Sequence, residues 1–244
     1  MSKSVSSIRR CSMESQNDPW RPLRDEGKNM ASATERKLVL KMSMSLDGFV
    51  AERDGKLDWI FRSSSADSRA RLVDTLSEAG VHIMGSGSYY DMAAFWPFSD
   101  TPFTAAMNDI PKIVFSRTGI KDGTQVDRTA EAEAKLTGGR PSVTPTAAVL
   151  KSWAEPTVAR GDLAEEVRRL KEQPGKLILA HGGVRFARSL IAAGLVDEYR
   201  LAVHPVVLGQ GHALFSGLHS PADLRLVSAT AYSGGVVGAV YQPA

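Results

Sequence analysis

Apolar and polar positions alternate most clearly in "RKLVLKMSMSLDGFVA" (36–51), where Leu38, Leu40, Met42 and Met44 fall on one side of an extended chain and Val39 on the other. That period of two predicts a strand, and Asp47-Gly48 closes it as a turn. "DSRARLVDTLSEAG" (67–80) carries Leu72, Leu76 and Ala79 at helical spacing, with Gly80 as its expected stop. "VHIM" (81–84) and "PKIVFS" (111–116) read as short buried strands, and "MGSGSYYDMAAFWP" (84–97) opens a helix between them. In "PTVARGDLAEEVRRLKEQPG" (156–175) Leu163, Val167 and Leu170 form a helical stripe; Asp162 and Glu165 stand as a capping-box-like pair at its start, and Pro174-Gly175 end it. "KLILAHGG" (176–183) predicts a strand, and "VRFARSLIAAG" (184–194) a helix with Phe186, Leu190 and Ile191 inward. The tail is strand-rich: "EYRLAVHPVVLG", "ALF", "DLRLVSATAYS" and "VVGAVYQ". Helices alternating with strands, then strands in succession, predict an α/β fold with a mixed, mostly parallel sheet and antiparallel C-terminal strands.

Two segments lack such periodicity. Residues 1–36 are rich in Ser, Arg, Asp, Glu and Asn and are expected to be a disordered extension, leaving 37–244 as the folded domain. Residues 120–152 turn polar, with Gly, Thr and Pro, and are expected to be a long insertion or mobile loop.

Composition narrows the function classes. Of the 244 residues 43% are hydrophobic and 23% charged, and no apolar run is long enough to span a bilayer. The net charge is +3, but residues 1–36 hold seven Lys/Arg and five Asp/Glu and so carry +2 of it. The remaining chain lacks the basic stripe of a nucleic-acid binder. A single cysteine, Cys11, excludes an internal disulfide and a Cys-based metal site, and the five histidines lack H-x-x-x-H spacing, so no metal is expected. Arg9-Arg10 have no apolar segment behind them, and a cytoplasmic protein is expected.

Three turns share one form: an apolar strand followed by small residues. They are Gly85-Ser86-Gly87-Ser88, Ser116-Arg117-Thr118 and, after His181, Gly182-Gly183. Each is compatible with an ordinary turn. If their strands are parallel neighbours, all three lie where open α/β sheets bind ligands, with N–H groups of helix starts turned to a phosphate. The G-x-G-x-x-G fingerprint is absent, as is a G-x-S-x-G elbow.

The stretches "MSLDGFVA", "MGSGSYYDMAAFWP", "MNDIPKIVFSRT", "GDLAEEVRRLK" and "HGGVRFARSLIAAGLVDEYRLAVHPVVLGQGHALF" resemble the dihydrofolate reductase-like family. They are most similar to the C-terminal reductase domain of bifunctional riboflavin-biosynthesis (RibD) proteins and its stand-alone relatives. The resemblance covers about residues 37–119 and 153–241. It implies a three-layer sandwich, NADPH as hydride donor, a pterin- or pyrimidine-like substrate such as 5-amino-6-(5-phosphoribosylamino)uracil, and a homodimer. It also implies that Gly85–Ser88 and Gly182-Gly183 receive the dinucleotide phosphates and that Ser116-Arg117-Thr118 hold the adenosine ribose with its 2′-phosphate. Relatives commonly read Gly-Arg-x-Thr where this chain reads Gly85-Ser86-Gly87-Ser88, so the cation there is missing and Arg117 is the one obvious phosphate-facing charge. NADH use is therefore open, as is a non-catalytic ligand-binding protein with a degenerate cofactor site. Asp47 is similar to the family's aspartate beside nicotinamide and substrate, where it would orient substrate or relay a proton. The alternative is a turn carboxylate capping nearby N–H groups.

Overall fold

In the computed structural model the described residues are 35–120, 143–218 and 220–244. The expected N-terminal extension up to residue 34, and residues 121–142 of the expected insertion, lie outside them. Arg36 already belongs to the folded body: it is buried, its N–H donates to Lys171 O and its Nε donates to Lys176 O.

Eight strands form one sheet among the described residues. They are β1 (Leu38–Ser45), β2 (Ala79–Gly85), β3 (Lys112–Phe115), β4 (Thr157–Ala159), β5 (Leu177–Ala180), β6 (Glu198–His204), β7 (Leu224–Ala231) and β8 (Val237–Pro243). Their order across the sheet is β4, β3, β2, β5, β1, β6, β8, β7. The first six run parallel, while β8 is antiparallel to β6 and β7 antiparallel to β8. This is the mixed sheet the pattern predicts. The helices are α1 (Trp59–Arg62), α2 (Ala66–Ser77), α3 (Ser86–Phe95), α4 (Thr104–Asp109), α5 (Ala147–Ala154), α6 (Leu163–Glu172) and α7 (Val184–Ala192).

The two sides of β1 sort as its alternation requires. Leu38, Leu40 and Met42 pack with Val167, Leu190 and Ile191 of α6 and α7, while Val39 packs with Leu76, Tyr89, Met107 and Trp153 of α2 to α5. Helices thus cover both faces, making three layers, and the central parallel strands are buried on both sides.

Four local expectations are corrected. Ala79 and Gly80 are not the end of α2 but the start of β2. Gly80 is small because a Cβ there would meet Arg36 Nη2 at 3.0 Å and Lys176 Cβ at 3.1 Å. Residues 147–152 are helical rather than loop: Thr146 caps α5 by accepting from Val149 N, and Trp153 is fully buried with its Nε1 donating to Asn108 Oδ1 at 2.8 Å. "TVA" (157–159) is an edge strand that three residues are too few to announce by alternation. "ALF" is no strand; Ala213 makes only an isolated bridge to Phe49.

Candidate functional site

The three turns follow β3, β2 and β5, which are adjacent and parallel, so they stand side by side at the carboxyl edge of the sheet. Neighbouring strands are about 4.8 Å apart, which brings residues nearly a hundred positions apart in sequence to one ledge. Gly85 is the extended N-cap of α3 and no side chain caps that helix, so its first N–H groups have no partner within the helix. Gly183 caps α7 with φ +106°, in the region that favours glycine, and a Cβ there would lie 2.6 Å from Ser88 Oγ. The first and third turns therefore touch, and only a residue without a side chain allows it. Gly85 is held close to Phe186 of α7, where an added Cβ would be 3.1 Å from Phe186 Cβ. Phe186 packs in turn on Phe115 at the end of β3, ring centres 5.1 Å apart. By contrast a Cβ on Gly87 would meet nothing within 4 Å, leaving open space above the start of α3. Two helix N-termini at a bare ledge fit a dinucleotide's phosphates in charge and in shape.

The second turn is closed by its own serine. Ser116 N donates to Ala159 O on β4, Ser116 Oγ donates to Gly119 O at 2.7 Å, and Gly119 has φ +81°. Arg117 and Thr118 project exposed from it. Arg160, at the end of β4 and absent from the sequence-based candidates, lies over Gly119: a Cβ there would be 2.9 Å from its Nη2.

Asp47 stands apart from these turns, at the end of β1. Its Oδ1 accepts from Ser45 Oγ at 2.6 Å and from Leu208 N at 3.1 Å, and its Oδ2 from Gly209 N at 2.7 Å. The Ser45 hydroxyl, with the Leu208 and Gly209 N–H groups, holds the carboxyl below the usual aspartate range against a smaller desolvation effect. The carboxylate thus ties the loop after β6 to the loop after β1. Gly211 completes that seam, since a Cβ there would collide with Ala51 O at 2.2 Å.

A cavity of about 600 Å³ opens between α2 and the strands β1, β6, β8 and β7. Lys41 and Met42 of β1 line it, with Asp67, Arg71 and Thr75 of α2 and Tyr232 opposite. On the opposite face of the sheet, where Met42 packs with α6 and α7, a Cβ on Gly182 would be 3.5 Å from its Sδ. Burial pushes the Lys41 ammonium down to about 8, and among the described residues no acceptor lies within hydrogen-bonding distance of it. Lys41 was not anticipated; a lysine inside an otherwise apolar strand was the available signal.

Two histidine arrangements flank the site. His181 Nε2 and His82 Nδ1 are 2.8 Å apart, and His82 Nε2 lies 3.0 Å from Ala106 O. A carbonyl only accepts, so His82 Nε2 carries its proton and His82 Nδ1 accepts from His181. Burial holds both imidazoles neutral, His82 down to about 4. His204, opposite Ser45 in register, meets Trp59 edge-on with ring centres 5.3 Å apart and binds Ser63 Oγ through Nδ1. Trp59 is fully buried against it. Among the described residues no cluster of three or more His, Cys, Asp or Glu could hold a metal, and no helix is long and apolar enough to cross a membrane.

Comparison with known proteins adds an independent line. Residues 36–238 match the family described as RibD C-terminal domain. The chain is 29% identical over 212 residues to protein YyaP of Bacillus subtilis, covering 85% of this chain and 95% of that protein. Its fold is shared with the diaminohydroxyphosphoribosylaminopyrimidine deaminase/5-amino-6-(5-phosphoribosylamino)uracil reductase of Thermotoga maritima (TM-score 0.58, 17% identity, 86% of this chain and 57% of that one). A pyrimidine reductase-like protein of Corynebacterium diphtheriae shares it too (TM-score 0.56, 14% identity, 86% of this chain and 92% of that one).

Proposed function

Because the chain belongs to the RibD C-terminal domain family, we propose that it is an NADPH-dependent reductase acting on a pterin- or pyrimidine-like heterocycle. The observation that carries this reading is the contact between the first and third turns, where Gly183 meets Ser88 at the head of two helices. When bound, the reduced dinucleotide supplies a hydride; binding, orientation and exclusion of water fall to the protein. The N–H groups of Ser86, Gly87 and Ser88 and the backbone at Gly182-Gly183 hold its diphosphate. Ser116, Arg117 and Thr118 hold the adenosine end. The heterocycle occupies the cavity floored by Lys41. Adding a hydride to an electrophilic carbon requires a proton at the adjoining heteroatom. Lys41, titrating near 8, is protonated in most molecules at neutral pH and supplies it. Asp47 acts as a positioning residue: its ionised carboxylate holds the loop after β6 through the N–H groups of Leu208 and Gly209. The working unit is a homodimer in the cytoplasm, and 5-amino-6-(5-phosphoribosylamino)uracil is the substrate we test first.

Ser86 favours a second reading, a ligand-binding protein whose cofactor site has decayed. Fluorescence titration with NADPH and NADH, on wild type and Ser86→Arg, followed by turnover assays, separates the two. Micromolar NADPH binding, strengthened in Ser86→Arg, with oxidation of the dinucleotide in the presence of the heterocycle, supports the reductase. Binding without oxidation of any pterin or pyrimidine supports the second reading, and no binding of either nucleotide refutes the first.

A further inference from the structure

We infer that His181 is a positioning residue for the nucleotide: through its hydrogen bond to His82 it fixes the register of the two strands whose turns receive the diphosphate. This rests on reading the turns after β2 and β5 as a dinucleotide site. The two strands pair in parallel, but the register shifts between Ala79 and Val81, so the pairing before that point does not set the register after it. The last contacts come at the other end. Ile83 pairs with Ala180, and His181 N donates to Ile83 O at 2.9 Å. Beyond them the strands run out into Met84-Gly85 and Gly182-Gly183. At this level two side chains cross the gap: His181 Nε2 donates to His82 Nδ1 at 2.8 Å, with ring centres 4.6 Å apart. His82 is held from its other side, since its Nε2 donates to Ala106 O of α4 at 3.0 Å. Two directed hydrogen bonds therefore tie the third turn through β2 to α4.

Both rings are buried. A slip of one residue would turn one imidazole to the opposite face of the sheet and leave buried polar atoms without partners, which is costly. The register so fixed is the one the ledge needs. It brings Gly183, just after the clamp, to where a Cβ would lie 2.6 Å from Ser88 Oγ. Apolar packing alone holds strands together but is non-directional; the bond between the rings adds direction. The clamp also requires both rings to be neutral. A proton added at His82 Nδ1 would face the His181 N–H, and one added to His181 would put a charge beside Lys41. Burial is the main force against that charge, and Lys112 of β3, in register with His82, and Lys41 of β1 add to it, while the Ala106 carbonyl pulls the other way on His82. Lys112 is itself bonded to Asn108 O and Ile110 O, with Asp109 nearby. From α4 the pair thus meets a carbonyl rather than a carboxylate, and the clamp stays neutral and closed at ordinary pH.

The test is calorimetric titration of the full chain, wild type, His181→Phe and His181→Gln, with NADPH and NADH. Phenylalanine keeps a ring and loses the donor; glutamine restores an N–H donor close to the position of Nε2. His181→Phe should weaken both nucleotides alike, roughly 10- to 100-fold, because the diphosphate they share is misplaced, and His181→Gln should bind within about threefold of wild type. Val167→Ala, in the core under α6, is the control: it should lower the thermal midpoint and leave both affinities unchanged. Imidazole ¹⁵N NMR of the wild type should show both rings neutral, with His82 as the Nε2–H tautomer, down to about pH 5, since His82 is held down to about 4. A folded His181→Phe with wild-type affinity, a folded His181→Gln weakened roughly 10-fold or more, or a pair that titrates near the free imidazole value of about 6.5 overturns the assignment alone. If His181→Phe does not fold, His181→Gln and the NMR measurement decide by those same outcomes. A wild type that binds neither nucleotide overturns it together with the reductase reading.

Discussion

The two halves of the candidate site are built from different materials. The ledge over β3, β2 and β5 is made of backbone: helix starts, glycines and small hydroxyls, each turn a few residues long and local in sequence. The half around β1 and β6 is made of side chains that meet over long separations, such as Asp47 with Gly209, 162 positions apart, and of a partly buried charge at Lys41. Partial charges fixed on a backbone cost nothing further to desolvate, so the first half can be bare and permanent. The second half pays for a partly buried ammonium, which makes it sensitive to pH and gives it a proton to move.

That contrast can be broken most severely at Gly183. Gly183→Val places a branched side chain at φ +106° and against Ser88 Oγ. It should lower stability by about 3 kcal/mol, from backbone strain and overpacking together. It should also abolish nucleotide binding in a titration under conditions where the variant remains folded by circular dichroism. Arg117→Ala comes next. It should leave the thermal midpoint unchanged and weaken NADPH by about 1.5–3 kcal/mol, the value of a hydrogen bond to a charged group.

Lys41→Met probes the other half and has the opposite sign in stability. Its folded pKa of about 8 lies below the model-peptide value of 10.5, so the unfolded chain binds the proton more tightly. The penalty is therefore fully present below pH 8 and fades as pH rises from there to 10.5. Removing the ammonium should stabilise the fold at pH 7 by on the order of 1 kcal/mol, discounted for its partial exposure. It should also flatten the stability profile above pH 8 in urea titrations, while wild-type turnover declines as pH rises through about 8 and the variant loses that limb. The smallest effect is reserved for a residue outside both halves. Asp162→Ala removes the acceptor for Ala164 N and Glu165 N at the start of α6. It should cost about 1 kcal/mol in denaturant unfolding and leave nucleotide affinity unchanged.

Asp47 marks the boundary between what local pattern can and cannot tell. "SLDG" announces a turn, and the resemblance implies a place beside the substrate, but neither says that both carboxylate oxygens would be taken up by Ser45 and by N–H groups of residues 208 and 209. Arg160 sits in "TVARGD", inside a stretch whose helical stripe draws the eye to α6. The three-residue strand ahead of it has no periodicity to reveal it. Gly80 reads as a helix stop and is in fact a close approach of β2 to Arg36 and Lys176.

What the sequence determined by itself is everything set by neighbours in the chain. The alternation of β1, the stripes of α6 and α7, the Asp162 cap and the small residues after β2, β3 and β5 follow from local sterics and from the burial each pattern demands. Tertiary structure alone decided strand order, and with it the alignment of three separate turns on one ledge. It also decided which buried polar groups have company, such as His82 with His181, and which, like Lys41, are left to titrate. Those outcomes depend on desolvation and on contacts between residues about a hundred positions apart, which no window along the chain contains.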